Sequence, residues 1–388
     1  MWFFRSPEIV FGEFALDHLT TIQGRRAFII TDQNIVKLGF ADLVKDKLAE
    51  AGVETAVFAE VEPDPSLQTA QRGATEAQAY QPDWIIGLGG GSCMDAAKAA
   101  WFLYERPDMD LRDLSPFETL GLRAKARLIT IPTTSGTGAE VTMASVLTDT
   151  EEKRKVALGS GELVPDLAIV DPVFTMNLPP QITADTGIDV LTHAIEGYSC
   201  SWNNDFTDGL CLKSIQLVFD YLPRACENGA HDLVAREKMH NAATIAGLGF
   251  GNSFAALAHA LGHALGAAFH TPHGRAVGLF LPYTVEFAAN AGEGRYAEIA
   301  RFLGLPAADD NQGAASLVAA IRKLARRIGL PATARELGIS QEAYTQAMPV
   351  LIDNTETDTQ MVSSCRVPDT HEVEALFHYT YEGKSIDF

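Results

Sequence analysis

Four of the ten histidines, His259, His263, His270 and His273, fall between Ala258 and Gly274 in the run AHALGHALGAAFHTPHG. His259 and His263 are four apart and share one face of a helix. Pro272 interrupts the helical pattern, which predicts a turn at His273. Upstream, GIDVLTHAIEGY carries Asp189 and His193, also four apart in a segment that reads as helix. Imidazole and carboxylate are ligand types for divalent metals. Two helices that each offer two such groups, with a histidine on a turn, can hold one cation and leave a position open. Singly, a histidine on an Ala/Leu-rich helix is ordinarily a hydrogen-bonded core residue, and an Asp–His pair at this spacing a helix-surface contact. Five such groups in two apolar segments point to a metal, because burying them unpaired would be expensive.

A second chemistry lies in the N-terminal half. The apolar run Trp84–Leu88 leads straight into GGGSCMDAAK, where Gly90, Gly91 and Ser92 let backbone N–H groups approach an anion. A helix beginning near Ser92 would add its positive N-terminus, making a pyrophosphate cradle. The turn is neither GxGxxG nor GxxxxGK[ST]. A second turn, PTTSGTGAE, follows the run Arg127–Ile131 and offers the hydroxyls of Thr133, Thr134, Ser135 and Thr137. One such turn alone reads as an ordinary strand-to-helix connection; two, each after an apolar strand, read as nucleotide binding. Asp32 closes the run Arg26–Thr31. An acid there can accept hydrogen bonds from a ribose diol and repels a 2′-phosphate, favouring NAD over NADP; the competing reading is an N-cap for the next helix. The charged run EEKRK, Glu151–Lys155, reads as a solvated turn, or as a source of one lysine that reaches the cofactor.

The elements that must position these groups differ between the two halves. Apolar runs at Arg26–Thr31, Glu54–Phe58, Trp84–Leu88 and Arg127–Ile131 alternate with helical stretches at Ile35–Ala51 and from the N-cap Ser66 to Gln78. This pattern predicts an α/β domain with a mainly parallel sheet and helices on both faces, with ligands at the carboxyl ends of its strands. Strand signals fade after Asp171-Pro172, and Leu178-Pro179-Pro180 reads as a hinge. Beyond it the pattern is helical, near 183–199, 205–227, 232–249, 254–269, 313–328 and 370–381, with Gly229, Gly329 and Gly383 near helix ends. The expected organisation is a dinucleotide-binding domain over 1–179 and an all-helical metal- and substrate-binding domain over 180–388, with a ligand of both in an interdomain cleft.

The 388 residues suffice for two domains and a large core. Thirty basic against fifty acidic residues give a net charge of −20, which argues against nucleic acid or an anionic membrane as partner. Cys93, Cys200, Cys211, Cys226 and Cys365 form no CxxC and no repeated spacing, which suggests a reducing compartment. The N-terminal MWFFRSPEIVFGEF does not read as a secretory signal, and no apolar run approaches the roughly 18 residues that span a membrane. The cytoplasm is the expected location.

GGGSCMDAAK, PTTSGTGAEVT, GIDVLTHAIEGY and HALGHALGAAFHTPHG, in this order, resemble the iron-containing (group III) alcohol dehydrogenase family, including its lactaldehyde reductase and 1,3-propanediol dehydrogenase types. The resemblance covers nearly the whole chain. It implies an α/β dinucleotide-binding domain followed by a helical metal domain, and metal ligands at Asp189, His193, His259 and His273. It places His263 beside substrate and nicotinamide, outside the ligand set, where it could relay a proton. Cofactor contacts map onto Asp32, Asp64, Gly90, Gly91, Ser92, Asp95, Thr133, Thr134, Thr137 and Lys155. The implied reaction is reversible hydride transfer between NAD(H) and a small primary alcohol/aldehyde pair at a divalent metal, Fe2+ by family and Zn2+ as the other candidate. A homo-oligomer, dimer or larger, is expected. Two positions depart from the family pattern. Cys365-Arg366-Val367-Pro368 stands where members often carry an NPR-like turn, and Asp64 where relatives often carry Asn. Glycerol dehydrogenases and dehydroquinate synthases share the two-domain plan. The synthases are lyases that need several basic residues around a phosphate-bearing substrate, whereas the cleft motifs here are small and apolar apart from the ligands and Arg275. A non-catalytic metal- or nucleotide-binding protein is the remaining alternative.

Overall fold

The apolar runs of the N-terminal half become strands of one sheet. In the computed structural model, which describes residues 3–114, 118–151 and 154–388, the chain forms two units, Met1–Asn177 and Leu178–Phe388. The first contains β1 (Glu8–Phe11), β2 (Arg26–Ile30), α1 (Gln33–Lys37), α2 (Phe40–Glu50), β3 (Glu54–Phe58), α3 (Leu67–Tyr80), β4 (Trp84–Gly89), α4 (Gly91–Glu105), β5 (Arg127–Pro132), β6 (Ala144–Asp149), β7 (Arg154–Gly159) and β8 (Leu167–Val170). Six strands form a sheet in the order β1-β8-β5-β4-β2-β3, with every pairing parallel. β6 and β7 form a separate antiparallel hairpin.

The strand alternation sorts side chains to two cores. Ala27 and Ile29 of β2 join Val44 and Leu48 of α2 on one face; Phe28 and Ile30 join Ala70 and Ala74 of α3 and Trp101 of α4 on the other. Helices therefore cover both faces. β4 and β5 run in register from Trp84↔Arg127 to Gly89↔Pro132, so their following turns emerge side by side, and β2 is the next strand along. The chain turns from β2 outward to β3 and returns to β4 on the other side, the reversal at whose strand ends open α/β sheets bind ligands.

Several elements differ from the sequence pattern. The predicted helix 35–51 is two helices, broken at Leu38–Gly39. β1 and β8 are four-residue strands, too short for a periodic signal. In EEKRK, Glu152 and Lys153 lie outside the described residues, and Arg154 and Lys155 begin β7. The hairpin docks on α4. The buried Lys98 ammonium donates to the carbonyls of Thr142 and Ala144, both at 2.8 Å, and Asp95 accepts from the Val146 amide at 3.0 Å.

The second unit contains α5 (Pro180–Ser199), α6 (Asp205–Asn228), α7 (Leu233–Phe250), α8 (Leu257–Phe269), α9 (His273–Asn290), α10 (Tyr296–Phe302), α11 (Asp310–Arg327), α12 (Gln341–Glu356) and α13 (Thr370–Glu382). No strand occurs among its described residues. Pro180 occupies the first turn of α5, where its missing N–H costs nothing. α5 is buried almost all round, its Asp185, Asp189, His193 and Glu196 included. α9 shares two cores: Leu281 and Val285 pack with α5 and α6, and Phe280 and Phe287 pack with α8, α12 and α13. No described helix is long and apolar enough to cross a membrane.

Candidate metal centre and phosphate cradle

Helical periodicity and one close helix crossing assemble the cluster in the second unit. Asp189 and His193 lie one turn apart on α5, His259 sits in the first turn of α8, and His273 is the first residue of α9. The sequence pattern places His273 on a turn after a helix-breaking Pro272. In the structure Pro272 instead takes the N-cap position and α9 starts at once. Gly274 permits the crossing of α5 and α9. A Cβ there would overlap the Asp185 carbonyl and come within 3.0 Å of Asp189 Cβ. Arg275 locks the same joint through two 2.9 Å bonds to the Asp185 carboxylate.

The four side chains offer ligand atoms that all lie within 4.8 Å of one another. Asp189 Oδ1 is 3.5 Å from His193 Nδ1, 3.6 Å from His259 Nε2 and 3.4 Å from His273 Nε2. Donors bonded tetrahedrally to one ion at about 2.1 Å stand roughly 3.4 Å apart. Asp189 Oδ1, His193 Nδ1 and His259 Nε2 are buried and make no hydrogen bond. Orphaned polar atoms converging on one point fit a cation. Asp189, His193 and His259 are buried, while the His273 side chain is 43% exposed, so the centre opens on that side. Burial pushes the Asp189 carboxyl up, but the surrounding imidazoles more than offset this and hold it well below the usual range. Burial drives His193 down to about 3. An ionised carboxylate and a neutral imidazole are the forms that bind metal.

Three supporting residues have no counterpart in the sequence reading. Glu196 bonds His259 Nδ1, and Phe250 stacks on His193 with ring centroids 4.0 Å apart. Asp358 bonds His263 Nδ1 at 2.7 Å. Glu196 carries a signal, since it follows His193 by three positions on the same helical face; Phe250 and Asp358 carry none. His263 lies on the open side, stacked 5.2 Å from His273 and edge-on to His259 at 5.9 Å. His270 ends α8 in the left-handed conformation, outside the cluster. Cys365-Arg366-Val367-Pro368 holds a structural arginine. Arg366 covers the Phe287 ring at 3.6 Å and donates to the carbonyl of Phe287 and the carboxylate of Glu372.

In the first unit, Gly90 is the N-cap of the fifteen-residue helix α4, so the free amides of that helix start at Gly91 and Ser92. The second turn lies against the first, with Thr133 N donating to Gly89 O at 2.9 Å. Gly91 packs tightly, since a Cβ there would meet Thr137 Cγ2 at 3.0 Å and the threonine would have to give way. Thr134 and Thr137 are half-buried and Thr133 is buried. Asp32 N-caps α1, accepting from the amides of Asn34 and Ile35, and its other oxygen accepts from the Cys93 thiol at 3.4 Å. Asp64 and Lys155 form an ion pair, both well exposed. Asp95 is committed to the hairpin amide, and burial raises its carboxyl to about 6. The two glycine turns and Asp32 thus share one edge of the sheet, while Asp64, Lys155 and Asp95 gather around the hairpin.

A parallel α/β unit with two glycine turns side by side at its strand ends, followed by a helical unit carrying a three-histidine, one-carboxylate cluster, is the plan of a two-unit class of oxidoreductases. Comparison with known proteins agrees. Residues 6–172 match the iron-containing alcohol dehydrogenase model, and residues 183–381 match the C-terminal model of the Fe-containing alcohol dehydrogenase family. The chain belongs to the iron-containing alcohol dehydrogenase family. It is 36% identical over 390 residues to an NADPH-dependent butanol dehydrogenase of Clostridium saccharobutylicum, covering all of both chains. It is 39% identical over 383 residues to an aldehyde-alcohol dehydrogenase of Streptococcus pneumoniae, covering 92% of this chain and 43% of that longer protein. The solved structure of a 1,3-propanediol oxidoreductase superposes with a TM-score of 0.91 at 31% identity, covering 98% of this chain and all of that one. A sulfoacetaldehyde reductase of Bifidobacterium kashiwanohense in complex with NAD+ gives 0.87 at 28% identity, with 98% of each chain covered.

Proposed function

We propose that this alcohol dehydrogenase transfers a hydride reversibly between NAD(H) and a small primary alcohol/aldehyde pair, with Fe2+ held by Asp189, His193, His259 and His273. The observation that carries the reading is the convergence of three imidazole nitrogens on Asp189 Oδ1 at 3.4–3.6 Å, with buried atoms left unbonded. When bound, the metal supplies a Lewis acid for the substrate oxygen, and the nicotinamide supplies the hydride chemistry. The protein supplies position and proton management. His263, beside the open face, takes up or returns the hydroxyl proton. Its bond to Asp358 assigns the Nδ1–H and leaves Nε2 to exchange the proton. The turns at Gly90–Ser92 and Thr133–Thr137 cradle the pyrophosphate, with Asp32 toward the ribose and Asp64, Asp95 and Lys155 bordering the cofactor. This makes the first unit the dinucleotide domain and the second the metal and substrate domain.

The butanol dehydrogenase relative is named for NADPH, but the Asp32 carboxylate at the end of β2 disfavours a 2′-phosphate and supports NAD(H). Five free cysteines support a cytoplasmic location. Exposed Phe3, Phe11 and Phe14 near the edge strand β1 support a homo-oligomer. The test is anaerobic. Purified protein is analysed for metal and assayed with short aldehydes, using NADH and NADPH. Iron bound stoichiometrically and aldehyde-dependent NADH oxidation are expected. No turnover of any aldehyde by metal-loaded protein would overturn the reading.

A further inference from the structure

We propose that Glu196 is a positioning residue for the metal: it fixes the His259 ring so that Nε2 faces the ion, and its negative charge lies directly behind that ligand. This rests on the four-ligand reading above. The Glu196 side chain is buried, and each of its oxygens is engaged. Oε2 is hydrogen-bonded to His259 Nδ1 at 2.5 Å and accepts from the Ala256 amide at 2.9 Å; Oε1 accepts from the Ala258 amide at 2.5 Å. Two backbone amides and the imidazole leave the carboxylate no freedom to rotate. They also fix which His259 nitrogen points away from Glu196. With Nδ1 turned to Glu196, Nε2 is the nitrogen presented to a cation, and it is the atom left unbonded beside Asp189 Oδ1. Ligand histidines commonly hand their second nitrogen to a carboxylate, which orients the ring and makes it a stronger donor.

The arrangement also solves a local problem of the fold. α8 begins at Leu257 with no side-chain cap of its own, because Ala256 stands at the N-cap. Its first amides need acceptors, and Glu196 brings them from α5. The same carboxylate therefore sets the start of α8 and the orientation of the ligand in its first turn. Asp189, His193 and Glu196 follow one face of α5 in the pattern D-x-x-x-H-x-x-E, so a single helix delivers two ligands and the support for a third. Together Asp189 and Glu196 supply two negative charges to match a divalent ion.

The test uses the full chain, stripped with a chelator and reloaded anaerobically with Co2+, whose visible bands report the ligand field. Wild type, E196Q and E196D are compared by Co2+ titration against a competing chelator and by band shape. Melting temperatures are taken for the apo and loaded forms. Gln has one acceptor oxygen and cannot serve both the imidazole and the two amides. E196Q is expected to weaken Co2+ binding about ten- to a hundredfold, alter the bands and shrink the gap between loaded and apo melting temperatures. E196D, which keeps the carboxylate, should recover part of the affinity. A residue that only capped α8 would lower both melting temperatures together and leave affinity and bands unchanged; that result overturns the proposal. If both variants fail to fold, wild type decides. Its Co2+-loaded proton spectrum should contain a shifted imidazole N–H that exchanges slowly in D2O, and its absence overturns the proposal. Failure of wild type to bind Co2+ would sink the four-ligand reading and this proposal together, a result separable from tight binding by E196Q, which sinks this proposal alone.

Discussion

Gly274 is where fold and chemistry constrain each other most tightly, and Gly274→Ala is the sharpest test of the metal centre. A Cβ at this position overlaps the carbonyl oxygen of Asp185, lies 2.8 Å from its carbon and 3.0 Å from Asp189 Cβ. None of these atoms is the free end of a flexible side chain. Two are backbone of α5, and the third anchors a metal ligand. Relief requires α9 to move away from α5 by on the order of 1 Å. Arg275, next in sequence, resists that shift through its two bonds to Asp185. Overpacking of this kind costs about 1–3 kcal/mol. For a unit of this size that lowers the melting temperature by several degrees, at roughly 2–4 °C per kcal/mol. The chemical cost is larger than the structural one, because ligand distances tolerate only about 0.2 Å and His273 immediately precedes the displaced residue. The assay is a thermal melt with metal analysis after dialysis, set against Gly209→Ala. Gly209 lies within α6 with nothing within 4 Å of an added Cβ, so that variant should be as stable as wild type or more so. A Gly274→Ala protein that melted with wild type and kept its metal would refute the claim that the α5–α9 crossing sets the ligand geometry.

Three further outcomes follow from the same structure. His263→Ala should lower turnover by about 10²–10⁴-fold while metal content stays at the wild-type level, whereas His259→Ala should lose the metal; loss of metal from the His263 variant would place that residue among the ligands. Asp32→Ser keeps a side-chain cap for α1 but removes the charge, so the ratio of kcat/KM for NADPH over NADH should rise by about tenfold or more; an unchanged ratio would remove Asp32 from cofactor choice. Lys98 makes a prediction about pH, because burial lowers its pKa to about 8 against an ordinary 10.5. Below pH 8 the group is charged in the folded and unfolded chains alike. Between 8 and 10.5 the unfolded chain holds a proton that the folded chain has released, so stability rises with pH. The gain is on the order of 3 kcal/mol at 1.36 kcal/mol per pH unit. Urea unfolding of wild type and Lys98→Met across this range should show their difference in stability growing in favour of wild type as pH rises; a difference independent of pH would refute the shift.

Two kinds of information are legible in the sequence. Strands and helices long enough to repeat a period, such as Trp84–Gly89 and Asp205–Asn228, announce themselves, and so do glycine turns placed directly after strands. β1 and β8, at four residues each, carry no measurable period. The hairpin β6–β7 is hidden because the sequence between its strands is charged and β6 mixes exposed and buried positions. The start of the helix α9 escapes the pattern for a physical reason: Pro272 reads as a breaker, yet proline is equally at home just before a helix, and only the chain beyond Gly274 decides between the two.

The side chains around the cluster show why its core is easier to read than its support. Asp189 and His193 are brought together by the turn of one helix, a relation fixed by spacing alone. The partners that orient the histidines are joined across the fold: Glu196 and His259 are separated by 63 positions, His263 and Asp358 by 95. No local rule links such residues, because their meeting depends on how α5, α8 and the segment after α12 pack. Burial makes those meetings necessary. An imidazole removed from water must give its second nitrogen to some acceptor or forfeit a hydrogen bond. A buried ligand histidine such as His259 therefore requires an acceptor elsewhere in the chain, and carboxylates are the strongest of these. Among fifty acidic residues the spacing does not say which, and that choice belongs to packing.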